Sequence, residues 1–480
     1  MFGLTTQSFD LVDRWQTIHE SGVEHVRPDI VQSEQRAGLD QNKITYTSQE
    51  CLPDDVLTHL FVFIAQQYGS VEFPLKKTPP QVVLSHVCSH WRQLALHTFE
   101  LWNDIHIRDC DVSQVPHEWV PRAGTSSVAL TLEPIHVKFD SDTRVANIIQ
   151  NLVSNFKAEI VHIQMTLGHL TALSASPDAS LQNIESLHLN LHSDLDLNKS
   201  FRVMPHVFAR LREMTICYKK YGGDGRKLEI AVERLPLPWS QLQCLTFIPD
   251  PGRMRIIDPG RIINVTTIMN IVRQIPTLRH FRTSIQIPLY MNRTFSPLTM
   301  PCLQSLALDF DARMHDFDDS DDDDEMVASD IDRILNIFTC PALTDLTLLD
   351  AMPRKCPSVT YEILKRQYNI QGLQHLKLIY GFAFPISSIL KDAPMLRSLS
   401  LSHPAIMDNE SYTGISNGTL GRHLRMFAIA VSGTADKILE MVATRKRVAD
   451  ELIENGCHWR EAITILKYVR ILDTRKGSIL

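Results

Sequence analysis

Residues 340–348 read Cys-Pro-Ala-Leu-Thr-Asp-Leu-Thr-Leu. Leu343, Leu346 and Leu348 are spaced apolar, two residues, apolar, one residue, apolar. The last two steps are the alternation of a strand with one buried face. Pro341 stands two residues before the first leucine, where it ends a preceding helix and forces an extended approach. Three further copies carry the same proline: Ile-Pro-Thr-Leu before Leu278, Met-Pro-Cys-Leu before Leu303 and Ala-Pro-Met-Leu before Leu396.

Outward from there the theme recurs in both directions. Towards the N-terminus it stands at Leu303-Leu306-Leu308, Leu278-Phe281-Thr283, Leu242-Leu245-Phe247, Leu211-Met214-Ile216, Ile184-Leu187-Leu189 and Ile160-Ile163-Met165, with a partial copy at Leu130-Leu132. Towards the C-terminus it stands at Leu373-Leu376-Leu378, Leu396-Leu399-Leu401, Leu424-Phe427-Ile429 and Leu466-Val469-Ile471. Helical stretches lie between copies. Ile268, Ile271, Val272 and Ile275 share one face. Ile331, Ile334, Leu335 and Phe338 do so behind Ser329 as N-cap, and Ile438, Leu439 and Val442 repeat the pattern. Helix, proline, strand is a unit that cannot bury its apolar face alone and must stack on its neighbours.

Intervals between copies run from 23 to 42 residues. They centre near the period of leucine-rich repeats, and the segment resembles a degenerate region of that kind. The family's Asn or Cys after the strand is missing: Asp311 and Pro404 stand there. The resemblance implies an irregular α/β solenoid over residues 109–475, parallel sheet on the concave face and helices outside. Residues alternating with the leucines then face the inner surface. They include His280, Arg282, Asp345, His375, Lys377 and Arg470, expected to touch a protein substrate.

The longest interior interval holds an acidic run. Eight of the ten residues from Asp316 to Glu325 are Asp or Glu. They repel one another, so residues 311–328 are expected to form a disordered insertion. With no glycine in the run, an EF-hand loop is excluded.

Residues 52–102 carry the other pattern. Leu52-Pro53-Asp54-Asp55 opens a helix, with proline at its start and carboxylates in its first turn. Val56, Leu57, Leu60, Phe61 and Ile64 follow as a wide apolar stripe. A second helix is expected through Val83, Leu84, Val87, Cys88, Trp91 and Ala95, closing on Leu101-Trp102. So small a unit cannot bury all of this on itself.

The order Leu-Pro, Val-Leu, Leu-Phe, then Val87-Cys88, Trp91-Arg92 and Leu101-Trp102 resembles an F-box of the F-box-like variety abundant in fungal proteins. The loop Gln66 to Pro80 is longer than the usual F-box turn. The resemblance implies an F-box-like domain over residues 50–108. It would dock a Skp-type adaptor of a cullin-RING ubiquitin ligase through Leu52, Pro53, Val56 and Leu60. Leu57, Phe61, Val87, Trp91 and Trp102 would form its core. The repeat region would hold the substrate, so the chain acts by proximity in the cytoplasm or nucleus. The rival expectation is a ligase-independent scaffold in which the helices cap the end of the repeat stack.

Composition bounds the rest. The chain has 480 residues, 44% hydrophobic and 21% charged, and a net charge of -7. That balance argues against general nucleic-acid binding. No apolar run approaches the roughly 20 residues of a membrane span. Residues 1–49 are polar, with Phe9, Val12 and Trp15 spaced for one short helix, and lack a secretory leader pattern. The nine cysteines are scattered without a Cys-x-x-Cys pair, so neither zinc nor a disulfide framework is expected. No Walker A, GxGxxG or GxSxG occurs, His19 lacks a zinc-helix partner at Val23, and Gly222 to Gly225 opens no helix. No cofactor and no catalysis are expected. The cations of Thr-Arg-Lys-Arg at 444–447 are read as complementing a helix C-terminus.

Overall fold

The computed structural model describes residues 52–73, 75, 77–107, 119–123, 128–132, 160–167, 170, 181–191, 208–218, 232–233, 235, 237–249, 265–286, 296–311, 331–350, 358–379, 386–401, 407–431, 435–455, 463–473 and 478–479. The N-terminal lead-in, the acidic run, the 222–225 turn and the Ser329 cap lie outside them. The chain divides into two units, Met1–Val56 and Leu57–Leu480. The described part of the first is Leu52–Val56, the entry to helix α1 (Asp54–Tyr68), with Asp54 and Asp55 in the first turn.

Among the described residues the second unit is an α/β structure built on one 15-stranded sheet. Its strands are β1 (Val71–Phe73), β2 (Asp104–Ile107), β3 (Val128–Leu132), β4 (Ile160–Thr166), β5 (Ser186–Leu191), β6 (Glu213–Tyr218), β7 (Cys244–Pro249) and β8 (His280–Gln286). Past the short β9 (Leu298–Thr299) come β10 (Ser305–Asp311), then β11 (Phe338–Thr339), β12 (Asp345–Asp350), β13 (His375–Ile379), β14 (Ser398–Leu401), β15 (Met426–Val431), β16 (Tyr468–Asp473) and β17 (Ser478–Ile479). β9 and β11 pair with each other. In the large sheet the strands lie in sequence order and every pair is parallel except β16 with β17. Sequential parallel pairing requires each connection to return along the same side, which gives the solenoid-like α/β stack the leucine spacing predicts.

Register carries the pattern across the sheet. Leu130, Ile163, Leu187, Met214, Leu245, Phe281, Leu306, Leu346, Leu376, Leu399, Phe427 and Val469 stand opposite one another from strand to strand. All but the half-buried Val469 are buried. A slip of one residue on any strand would expose its set, so burial fixes the register. A second device acts at the strand entrances. The carbonyl of Arg279 accepts from both Gln304 N and Ser305 N, at 2.8 and 2.9 Å. The carbonyls of Gln304, Thr344, Gln374, Arg397 and Arg425 do the same for the strand that follows. Backbone thus ties successive strand entrances.

Helices cover the leucine side. They are α2 (Pro80–Ser85), α3 (Ser89–His97), α4 (Trp119–Arg122), α5 (Val265–Val272), α6 (Ser358–Gln367), α7 (Ile386–Asp392), α8 (Asn409–Asn417) and α9 (Ala435–Glu454), and residues 331–337 are helical as well. Tyr361 and Leu364 of α6 and Ile389 of α7 enclose a small apolar void with Leu346, Leu376 and Leu378 of the sheet. Burying each such leucine contributes roughly 1.5–3 kcal/mol.

Three local expectations change. The second helix of the 52–102 stretch is two helices, because Cys88 is extended and caps α3, its sulfur accepting from Trp91 N at 3.4 Å. The loop Gln66–Pro80 contains β1, the edge strand of the large sheet, entered through Gly69 at φ 77°. The third concerns Thr444 to Arg447. They lie inside α9, which continues to Glu454, so no helix terminus explains them.

Candidate functional site

Two surfaces stand out, one on the helices before β2 and one on the strands. On the helices, Phe61 and Ala95 are buried and Phe61 meets half-buried Trp91 at 4.9 Å between ring centroids. Trp102 is fully buried; its indole N–H donates to the Ala95 carbonyl at 2.9 Å, and it stacks edge-on against Trp119 at 4.7 Å. Trp119 in turn meets Phe73 of β1 at 5.3 Å. Buried Gln81 donates to the Leu101 carbonyl at 2.9 Å and Arg92 Nε to the Ser85 carbonyl, also at 2.9 Å. Aromatic packing and these bonds fix the helices on the first strands.

Leu57, Phe61 and Trp102 are therefore core and Trp91 is partly so. Val87 is not: it is 57% exposed. The Cys88 cap interrupts the helix after Ser85, so the face holding Leu84 no longer carries Val87 inward. Of the residues expected to dock a partner, Leu52, Pro53 and Val56 are exposed in the first unit and Leu60 in the second. Phe63, Tyr68, Leu75, Val83 and Phe99 are exposed in the second unit too. Nine of the fifteen exposed large apolar side chains of the described residues lie within 52–99, although this stretch is a small part of the chain. An open groove of about 530 Å³ lies between the end of α1, the 69–80 segment and α2, lined by Ile64, Tyr68, Leu75, Pro80 and Val83.

The strand surface is the face opposite the leucines. His280, Ser305, Asp345, His375, Ser398, Met426 and Tyr468 form one register row; Arg282, Ala307, Thr347, Lys377, Ser400, Ala428 and Arg470 form the next. The six substrate-face residues expected from sequence thus share two adjacent rows. His375 Nε2 lies 3.9 Å from Asp345 Oδ1.

Charges at the strand entrances and on this face differ along the stack. Glu185 and Arg212 enter successive strands, tied by Arg212 N to the Glu185 carbonyl. Glu213 and Arg279 both act on the Cys244 thiol, which burial first of all, then Glu213, push up to about 11, Arg279 opposing. Burial holds His162 and His188 below the usual histidine range, so both are neutral at pH 7. His162 Nδ1 shares a hydrogen bond with Ser186 Oγ at 2.9 Å.

Residues not singled out in the sequence also matter here. Arg397, Arg425 and Lys467 each follow the first leucine of a copy, and all three are exposed at the entrances of β14, β15 and β16. The repeated Leu-Arg, Leu-Arg, Leu-Lys was the available signal. Among the described residues no group of three or more His, Cys, Asp or Glu is placed to hold a metal ion, and no helix is long and apolar enough to cross a membrane.

No protein-family model and no curated protein matches this chain. Among solved structures, a crystallised protein of Bacteroides fragilis is similar over 49% of this chain and 64% of its own, at 13% identity and a TM-score of 0.32.

Proposed function

We propose that this chain is a receptor subunit of an SCF-type cullin-RING ubiquitin ligase. In that reading the helical stretch is an F-box-like module that docks a Skp-type adaptor, and the strand face holds a protein substrate. The observation that supports it is the concentration of exposed apolar side chains within residues 52–99. Large exposed apolar surface on a folded protein marks a partner site. Burying side chains such as Leu52, Val56 and Leu60 against an adaptor contributes roughly 1.5–3 kcal/mol each before association costs. Rate enhancement would then come from holding the substrate at high effective concentration beside the ubiquitin-loaded enzyme.

Reconstitution with a purified Skp-type adaptor tests this. Wild type should co-elute with the adaptor, and the double change Leu52→Ala/Pro53→Ala or the single change Leu60→Glu should weaken the complex by about tenfold or more. Absence of wild-type binding sinks the ligase reading.

One observation favours a second reading, a ligase-independent scaffold. β1 sits inside the helical stretch and closes the first edge of the sheet, as the terminal cap of an open stack must. That reading leaves the apolar side chains of α1 without a role.

A further inference from the structure

The last strands of the parallel run carry cations in an order unlike the rest. Arg425 N and Met426 N donate to the Arg397 carbonyl at 2.8 and 3.0 Å; Lys467 N and Tyr468 N donate to the Arg425 carbonyl at 2.8 and 3.2 Å. Arg397, Arg425 and Lys467 are therefore stacked one strand apart, at about 4.8 Å per step. On the adjacent face Lys377, Ser400, Ala428 and Arg470 form one row. None of the five cations has a carboxylate partner among the described residues. In the other row of this face Ser398, Met426 and Tyr468 are uncharged, and the nearest acid of that row, Asp345 of β12, lies beside His375. Met426 and Tyr468, paired in register, are 46% and 49% exposed.

Like charges directly opposite on neighbouring strands repel. Elsewhere on the same sheet that repulsion is avoided: Glu185 precedes Arg212, and Asp345 faces His375. The chain as a whole has more acid than base, at -7. A cationic ladder kept free of acid in an acidic protein, around an exposed Met-Tyr pair, is complementary to an anionic segment with an apolar side chain.

We propose that the face of β13 to β16 is the substrate face, and that it takes a short extended peptide with acidic residues flanking one apolar residue. This rests on the reading that the strand surface binds a protein substrate. The peptide carboxylates pair with Arg397, Arg425, Lys467 and Arg470, the arginine forks in bidentate fashion. The apolar side chain covers Met426 and Tyr468. The three stacked cations span about 10 Å, the reach of three or four extended residues. A nucleic acid fits less well: tight duplex binding uses about 6–10 phosphate contacts, more than this ladder supplies.

The test is fluorescence anisotropy of the full chain with a labelled synthetic peptide of sequence Gly-Glu-Glu-Leu-Glu-Glu-Gly and with its all-Gln counterpart. The acidic peptide should bind about tenfold or more tightly than the Gln peptide, with affinity falling as salt rises. Arg397→Glu/Arg425→Glu should abolish that preference with the melting midpoint unchanged, and Tyr468→Ala should erase the advantage of Leu over Ala at the central peptide position. Equal binding by the charge-reversed protein overturns the proposal. So does tighter binding of a single-stranded RNA oligonucleotide than of the peptide, and so does binding seen only after excision of residues 316–325, which would make the chain's own acidic run the occupant. Peptide binding with no adaptor binding leaves this proposal standing and sinks only the docking role.

Discussion

Arg445 Nη1 donates to the carbonyl of Ile415 at 2.8 Å, so a fully buried cation in α9 is bonded to the C-terminal turn of α8. Its Nη2 donates to the carbonyls of Gly421 and Arg422 at 2.8 and 3.1 Å, and its Nε to that of Thr464 at 3.0 Å. Gly418 and Gly421 hold positive φ, 72° and 58°, and the chain turns through them to bring those carbonyls round one guanidinium. Among the described residues no carboxylate shares the site; helix-end and turn carbonyl dipoles balance the charge. Burial lowers the guanidinium to about 10, which leaves it charged at neutral pH.

Arg445→Met should therefore destabilise the protein by about 3 kcal/mol or more, because four carbonyls, those of Ile415 and Gly421 buried, lose their donor at once. Arg445→Lys should recover less than half, since an ammonium cannot reproduce the planar fork. Urea unfolding with an unchanged m-value measures both; a loss below about 1 kcal/mol for the methionine variant would mean that water replaces the fork.

Phe61 and Val87, both expected in the core of the helical stretch, differ because the Cys88 cap leaves Val87 outside a helix and exposed. Phe61→Ala should cost about 3 kcal/mol or more, since Phe61 is fully buried against Trp91. Val87→Ala should change stability by no more than about 0.5 kcal/mol, as expected at an exposed position. Comparable losses at the two sites, read from urea midpoints, would restore Val87 to the core.

The strands were legible because their signal is local. Two side chains per copy alternate, a leucine precedes them, and register then follows from burial, so eleven copies and a partial one were placed from spacing alone. What was missed depends on tertiary partners. β1 is three residues, Val-Glu-Phe, and becomes a strand only by pairing with β2. The break at Cys88 needs a sulfur accepting a backbone N–H, which no propensity announces. Arg445 reads as one cation among three in Thr-Arg-Lys-Arg; only the carbonyls of three distant segments distinguish it from exposed Lys446 and Arg447. The cationic ladder was written in the sequence, but its meaning required knowing that residues 397, 425 and 467 stack.

Tyr361 of α6 donates to Asp392 Oδ2 of α7 at 2.6 Å, and Lys365 Nζ lies 3.1 Å from the same oxygen. The Tyr361 hydrogen bond first, then Lys365, hold the Asp392 carboxyl below the usual carboxylate range, against some burial. A depressed folded-state value contributes stability that is present above the unfolded carboxyl value near about 3.9 and is lost as pH falls through the folded value. Tyr361 is shifted the other way: burial, then Asp392, raise its phenol. Its contribution is complete below the unfolded phenol value near about 10 and is lost as pH rises above it. Tyr361→Phe removes the hydrogen bond and the phenol together. Its stability against pH, from urea midpoints, should flatten at the alkaline end and lose part of its acid decline, because the folded Asp392 value moves back toward the unfolded one. Asp392→Asn should flatten the acid limb and reduce the alkaline one, since the carboxylate also raises the phenol, while parallel curves for wild type and both variants would show that the pair does not couple α6 to α7 through its ionisation.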